Sequence, residues 1–369
     1  MIRKVALAAM TLLAAGAASA QSSVTLYGVL DASIGRFETS HLSTADTDVT
    51  AVQSGVMTTS FIGFKGVEDL GNGLKGTFML ESFLRLDTGA AGRFDGDTFW
   101  ARNANIGLAG DFGAVTVGRM DNLLFLSSLA FNPFGGSFGV SPTIRQTFGD
   151  MGLVYGDSGW GNTIKYVTPN LSGFTAAVQY QFRENSAADT DNSWAANLTY
   201  LAGPFGATVT YQNFKTVGTA GTVMNAGTTA GLGFDVVPGL TTGFAADSEQ
   251  TVWQLGLSYD FGGAKLFGQY TDGKNEFAGA TVDVETSQWQ VGVSVPLGAG
   301  ALMASYGQLD VEQGSIEAKN KIFTIGYDYN LSKRTDVYAA YMYDNNDDND
   351  ATTDWEKGNT FAVGVRHRF

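Results

Sequence analysis

The chain has no cysteine, two histidines and six prolines in 369 residues. The missing thiols exclude a disulfide-stapled extracellular domain, thiolate metal sites and thiol nucleophiles. Basic residues are also scarce, 22 Lys and Arg against 36 Asp and Glu. That balance argues against nucleic-acid binding, which needs a basic footprint. Beyond the first twenty residues no stretch approaches the about 18 consecutive apolar residues of a transmembrane helix. His41 falls in a polar segment, and His367 shares the apolar parity of the last few residues. Neither lies near a Ser/Asp constellation, so no Ser-His-Asp site can be assembled and no enzyme is expected.

The N-terminus carries Arg3 and Lys4, then a short apolar run, then Ala18-Ser19-Ala20. A basic start, a short apolar core and a small-x-small site read as a secretory signal peptide over 1–20. The alternative, a membrane anchor, would need about 20 apolar residues. Residues 21–369 show no linker and no break in composition, and read as one domain.

Apolar residues in that domain recur every second position. In 251–261 one face is Trp253, Leu255, Leu257, Tyr259 and Phe261, and the other is Val252, Gln254, Gly256, Ser258 and Asp260. The same alternation runs through 287–297 and 321–331. Alternation over about ten residues marks strands with one apolar and one polar or small face. Aromatic residues gather near strand ends, as amphipathic rings do at a membrane–water interface.

Strands are predicted over 24–37, 57–69, 74–86, 98–111, 114–120, 159–168, 174–183, 193–201, 205–215, 250–261, 264–271, 285–296, 300–309, 319–330, 336–344 and 359–369. Short turns such as Gly71-Asn72-Gly73 and Gly262-Gly263 alternate with long polar segments over 38–56, 87–97, 121–158, 184–192, 216–249, 272–284, 310–318 and 345–357. An even number of strands with both chain ends on the short-turn side closes an antiparallel barrel. In hydrocarbon, closure is compulsory because an open edge leaves backbone groups unpaired. Sixteen strands leave an aqueous channel, where eight would be filled by side chains. The fold class is therefore all-β, a 16-stranded antiparallel transmembrane β-barrel.

Several segments resemble the Gram-negative general porins, especially those of neisserial and other betaproteobacterial outer membranes. They are SSVTLYGVLDASIG (22–35), FIGFKGVEDLGNGLKGTFMLE (61–81), NIGLAGDFGAVTVGR (105–119), NPFGGS (132–137), YVTPNLSGF (166–174), GYDYNLSKRTDVYAAY (326–341) and FAVGVRHRF (361–369). The resemblance implies an outer-membrane homotrimer passing small hydrophilic solutes and ions, with no cofactor. It implies that the third long loop folds inward and narrows the lumen. It also implies that Phe369 is the C-terminal aromatic read by the barrel-assembly machinery.

That third loop is peculiar. Residues 122–149 carry a single charge, Arg145, and five phenylalanines. The stretch is too rich in Gly and Pro to be one helix. With NPFGGS inside it, the segment is expected to pack within the barrel, Phe131, Phe134, Phe138 and Phe148 anchoring it or lining the constriction.

Strand parity sorts the remaining candidates. Phe61, Lys65, Glu81, Asn103, Asn105 and Lys165 are expected to face the lumen, and with Asp121, Phe131, Phe134 and Arg145 they form the predicted constriction. Arg102 and Arg119 fall on the outward parity, where a charge in lipid costs about 2–4 kcal/mol at the midplane. They are therefore assigned to a subunit contact or a rim. Related porins that favour anions carry an arginine cluster at the constriction. Motif alignment puts Phe61, Asn103 and Gly159 at those places, and none is basic. The loop likewise has no acid between Asp121 and Asp150.

Asp344, Asp347, Asp348 and Asp350 lie in an Asp/Asn-rich stretch whose oxygens could hold a divalent ion bridging lipopolysaccharide phosphates. The stretch lacks calcium-loop spacing, and a solvated acidic loop is the plainer reading. The leading function is a general diffusion channel. The alternatives are a solute-specific channel of the same fold and a surface adhesin. Acidic loops concentrate cations at a pore mouth, so low selectivity or a mild cation preference is expected.

Overall fold

A computed structural model describes residues 23–42, 48–149, 154, 157–183, 191–216, 248–277, 282–349 and 354–369. The predicted leader over 1–20 and Asp350 lie outside the described residues. In chain order the elements are β1 (Ser23–Phe37), β2 (His41–Leu42), β3 (Val49–Ser54), β4 (Phe61–Gly71), β5 (Leu74–Phe83), β6 (Asn103–Gly110) and β7 (Gly113–Asp121). Two short helices follow, α1 (Leu123–Ala130) and α2 (Pro142–Phe148). Then come β8 (Gly159–Val167), β9 (Phe174–Gln181), β10 (Ser193–Ala202), β11 (Phe205–Thr216), β12 (Ser248–Asp260) and β13 (Lys265–Phe277). The last are β14 (Val284–Leu297), β15 (Gly300–Gln313), β16 (Ile316–Asn330), β17 (Thr335–Asp348), β18 (Trp355–Glu356) and β19 (Gly358–Arg368).

Each wall strand pairs antiparallel with the next, and β1 pairs with β19 to close the sheet. The wall has sixteen strands, as the alternation predicts. Among the described residues no helix is long and apolar enough to cross a membrane; the crossing is made by strands. The first short turn shows why glycine recurs at these connections. Gly71, Asn72 and Gly73 all have positive φ, at 87°, 52° and 79°, a region closed to most side chains.

The two strand faces differ in kind. Val24, Ile106, Trp253, Leu257 and Val291 are more than half exposed, and all lie on the outward parity. On the opposite parity Gln254, Thr271, Gln288, Gln290, Asn320 and Thr324 are buried. An apolar exterior over a polar interior suits a barrel set in lipid around an aqueous lumen.

Several boundaries depart from the sequence reading. The second wall strand starts at Phe61, not 57, and β3 forms inside the segment read as loop. It pairs with the upper part of β1 through Ala32↔Ser54 to Phe37↔Val49. The strand over 98–111 starts at Asn103, which leaves Arg102 outside the ladder. Strands β13 to β17 also run further than predicted, β16 to 15 residues. Crossing the bilayer takes about 9–11. The excess lies beyond the membrane edge, where polar alternation looks like a loop.

Candidate pore constriction

The connection between β7 and β8 is the third long loop. Asn122 caps α1 by accepting from Phe125 N at 2.7 Å, and Ser141 caps α2, which starts at Pro142. Of the Gly and Pro that argue against one helix, Pro133, Gly135, Gly136 and Gly139 lie between these two, while Pro142 opens α2 and Gly149 ends it. Asn132 ties that middle together, donating to Ser128 O and Gly135 O while accepting from Phe134 N at 2.9 Å.

Both helices lie on the face opposite the exposed apolar one. Leu124, Phe125, Ile144 and Phe148 pack with Trp160, Phe214, Val252 and Leu309. Polar anchors match the wall's amides. Ser127 donates to Gln254 Oε1, and Gln254 Nε2 donates to Ser128 Oγ at 2.6 Å. Gln269 donates to Ser128 O at 2.9 Å, Gln290 accepts from Thr143 N at 3.2 Å, and Gln146 donates to Asn320 Oδ1 at 2.8 Å. Wall glycines make room for the bulk. A Cβ at Gly256 would meet the Phe131 ring at 2.9 Å, one at Gly292 would meet Pro133 at 2.7 Å, and one at Gly307 would meet Pro142 at 2.8 Å.

Phe131 and Phe134 are thus sunk into the wall, at 1% and 4% exposure. Of the two roles left open for them, the contacts favour anchoring. Arg145 faces the wall as well, with Nη1 donating to Phe138 O at 3.2 Å and Nη2 3.9 Å from the buried Asp344.

The arc from β1 to β8 carries the charges. Glu81 is its hub, accepting from Tyr27 Oη at 2.5 Å and Asn103 Nδ2 at 2.6 Å, with Arg102 Nε at 3.0 Å. Arg102 lies over the rings of Phe61 and Phe83, 4.4 and 5.6 Å from their centroids. Lys65 is exposed and sits 4.4 Å above the Tyr27 ring. Asn105 donates to Asn103 Oδ1 at 3.2 Å, and Lys165 reaches the Asp121 carbonyl at 3.5 Å.

Three expectations change here, the first being Arg145, which turns to the wall and not to the lumen. Phe61 does not line the lumen; it is 7% exposed beneath Arg102. Arg102, given to a subunit contact or a rim, pairs with Glu81 within the chain, because it precedes β6 and strand parity does not bind it. Parity on β1 could have found Tyr27, which shares a face with Asp31; no sequence signal marks Arg102 as a partner of Glu81.

Arg119 sits at a register irregularity between Gly118 and Met120. Its Nε donates to Ala101 O, and Nη2 lies 3.0 Å from Asp157. Asp157 also accepts from Arg93 at 2.7 and 2.9 Å. Burial alone would raise the Asp157 carboxyl, but the Arg93 guanidinium, then Arg119, holds it below the usual carboxylate range.

The acidic stretch near the end is mostly strand. Asp344 is fully buried on the inner face and accepts from Asn320 Nδ2 at 2.6 Å. Asp347 is exposed, and Asp348 accepts from Trp355 Nε1 at 2.7 Å. Alternation separates Asp344 from Asp347, and no cluster of three potential ligands occurs among the described residues. Phe369 exchanges backbone hydrogen bonds with Gly28 at 3.2 and 3.4 Å.

Taken together, a closed barrel that is apolar outside and polar inside defines an integral outer-membrane channel. The chain belongs to the Gram-negative porin family, whose profile matches residues 6–349. It is 32% identical to an outer membrane porin protein of Bordetella pertussis, covering 96% of each chain. It is 31% identical to outer membrane porin protein 32 of Delftia acidovorans, covering 99% of this chain and 95% of that one. Among solved structures, an anion-selective porin from Comamonas acidovorans superposes with a TM-score of 0.75 at 27% identity, over 95% of this chain and 100% of that one. Family and fold point to a channel in the outer membrane rather than to an enzyme.

Proposed function

We propose that the channel is a general, weakly selective diffusion pore whose constriction lies between the third loop and the charged arc of β1 and β4–β8. Lys65, Arg102, Asn105, Asp121 and Lys165 face the passing solute there, with the buried Glu81 and Asn103 behind them holding Arg102 and Tyr27 in place. The observation that carries this reading is the one-sided docking of the loop. It binds the wall of β9–β17, touches the opposite side at Val56, and leaves the charges of β4–β8 uncovered. A solute-specific aromatic site is disfavoured because Phe125, Phe131, Phe134 and Phe148 are all at most 7% exposed.

The uncovered arc is basic where it meets water. Glu81 is 5% exposed, held by two hydrogen-bond donors and an ion pair with Arg102, whereas Arg102 is 24% exposed and Lys65 more so. We therefore expect a mild anion preference, opposite in sign to what the acidic loops suggest. The anion selectivity named for the Comamonas relative agrees with this. A purified channel in a planar bilayer under a KCl gradient tests it. A reversal potential of the cation-selective sign would overturn the preference, and no conductance at all would overturn the pore.

The unit is a homotrimer meeting through β1 and β3–β7. On the outside, aromatic rings form a belt along the other strands, with Trp194–Tyr211 and Tyr211–Trp253 at 4.9 and 4.6 Å and Trp289–Tyr306 at 5.3 Å. No Trp or Tyr occupies a described outward position of β1 or β3–β7. A sector without interfacial rings suits protein contact better than headgroups. Residues 1–20 direct export and are removed, and Phe369 serves as the assembly signal.

A further inference from the structure

The break between β3 and β4 leaves residues 55–60 as a short tuck in the wall, and a single buried carboxylate organises it. Asp31 is fully buried. Its Oδ2 accepts from two successive amides, Met57 N at 3.1 Å and Thr58 N at 2.7 Å. Its Oδ1 accepts from Tyr338 Oη at 2.6 Å. Its backbone carbonyl accepts from Gly55 N at 2.9 Å, and its backbone amide donates to Ser60 Oγ at 3.0 Å. Arg366 adds a hydrogen bond to Thr58 Oγ1 at 2.8 Å. Consecutive amides closing on one anionic oxygen make a strong, directional hold.

The held segment in turn grips the tip of the third loop. Ser137 Oγ donates to Val56 O at 2.7 Å. Gly139 lies so close that a Cβ there would stand 2.5 Å from Val56 O and 2.9 Å from Val56 Cα. Val56 and Met57 share an apolar cluster with Phe134 and Val140 of the loop and with Ile322, Tyr338 and Met342 of the wall. Thr324 pins the far side by donating to Val140 O at 2.7 Å.

We propose that Asp31 is a positioning residue for the constriction. It fixes residues 55–60, and they clamp the loop tip against β15–β17, so the rigidity of the pore's narrowest part is set from the β1–β19 closure. The inference rests on the loop being the constriction. It predicts that two unrelated changes act alike. Asp31→Asn keeps a single, uncharged acceptor oxygen, so the two amides lose their anionic acceptor or Tyr338 Oη loses its own, and Gly139→Ala forces the tip away from the Val56 backbone, which has no flexible end to yield.

The test is paired. Both variants and wild type are purified as folded barrels, checked by heat-modifiable gel mobility, and compared in open-channel current noise and in amide exchange of residues 132–141. Loss of roughly one net hydrogen bond, about 1 kcal/mol, raises the displaced population about fivefold. We expect exchange at the tip to accelerate by that factor and current noise to rise in both variants, while exchange in the β10–β13 wall stays unchanged. Wild-type noise and tip exchange in Gly139→Ala would overturn the clamp, and that variant decides if Asp31→Asn fails to fold. Accelerated tip exchange without a change in noise would overturn the link to the pore. If wild type conducts nothing, the pore reading fails, while tip exchange still reports on the clamp.

Discussion

The inner wall has two arcs built from different chemistry. The arc behind the third loop, β9 to β16, presents amides, hydroxyls, small residues and a few apolar side chains. Gln254, Gln269, Gln288, Gln290 and Thr324 are its typical members, each at most 5% exposed. The facing arc presents Lys65, Glu81, Arg102, Asp121 and Lys165. A charge buried under a packed loop would have to be paired or neutralised, whereas an amide needs only matched donors and acceptors. The lack of charge in residues 122–149 and the amides behind them are two halves of one docking surface. The charges belong where water remains.

The largest effect should come from filling the docked arc. Gly256→Val with Gly292→Val places side chains where Phe131 and Pro133 now lie, each overpacking costing about 1–3 kcal/mol. The sheet is hydrogen-bonded on both sides, so the loop must move inward. We expect single-channel conductance to fall severalfold with the barrel still heat-modifiable. Unchanged conductance would mean that the loop does not bound the open lumen. Next in size is Gln146→Ala, which removes donors to Asn320 and Gly307 and leaves buried acceptors unpaired. Such losses cost about 1–3 kcal/mol. The expected result is a lower thermal midpoint for loop detachment, read by protease access to residues 122–149.

Changes on the open arc should alter selectivity rather than stability. Glu81→Gln leaves Arg102 without its countercharge and should raise anion preference. Lys65→Gln with Lys165→Gln should lower it. One exposed charge acts with roughly 1 kcal/mol at 4 Å in water, so shifts of about two- to fivefold in the permeability ratio are expected. Reversal potentials at two salt concentrations check both signs. If the same shifts followed from charge changes on the docked arc, the contrast between the arcs would collapse.

How much of this was legible beforehand follows from what period-two alternation encodes. It reports which face a residue takes only while the ladder continues. Lys65, Glu81, Asn103, Asn105 and Lys165 sit inside ladders, where parity assigns them all to one face. Arg102 lies one residue outside β6, and Arg119 sits beside a register irregularity, so parity carried little information there. Phe61 shares the parity of Lys65 yet lies beneath Arg102, because parity says nothing about stacking. The loop's lack of charge was visible, but α1 and α2 were not. Each is short, and the Gly/Pro cluster between them dominates any window that includes both. The Asp31 tuck was hidden because β3, formed from a polar segment, makes sense only beside β1.

The smallest predicted effect concerns the rim, where Arg93, Asp97, Asp157 and Arg119 join the second long loop to the end of the third. The Asp157 carboxyl titrates below its unfolded value. A depressed carboxylate contributes stability that is fully present above the unfolded pKa, about 3.9 for Asp. It is lost as pH falls through the folded value. Between pH 5 and 8 the cluster should therefore be indifferent to pH, and protease access to residues 84–102 should stay constant. Below about pH 4 access should rise as the carboxylate takes up a proton and weakens its hold on the two arginines, which keep Asp97 and the Ala101 carbonyl as their remaining partners. Asp157→Asn should show the acid level of access throughout and no further rise on acidification. An equal rise below pH 4 in that variant would move the acid response to another carboxylate, with Asp97, 3.0 Å from Arg93, the next to substitute.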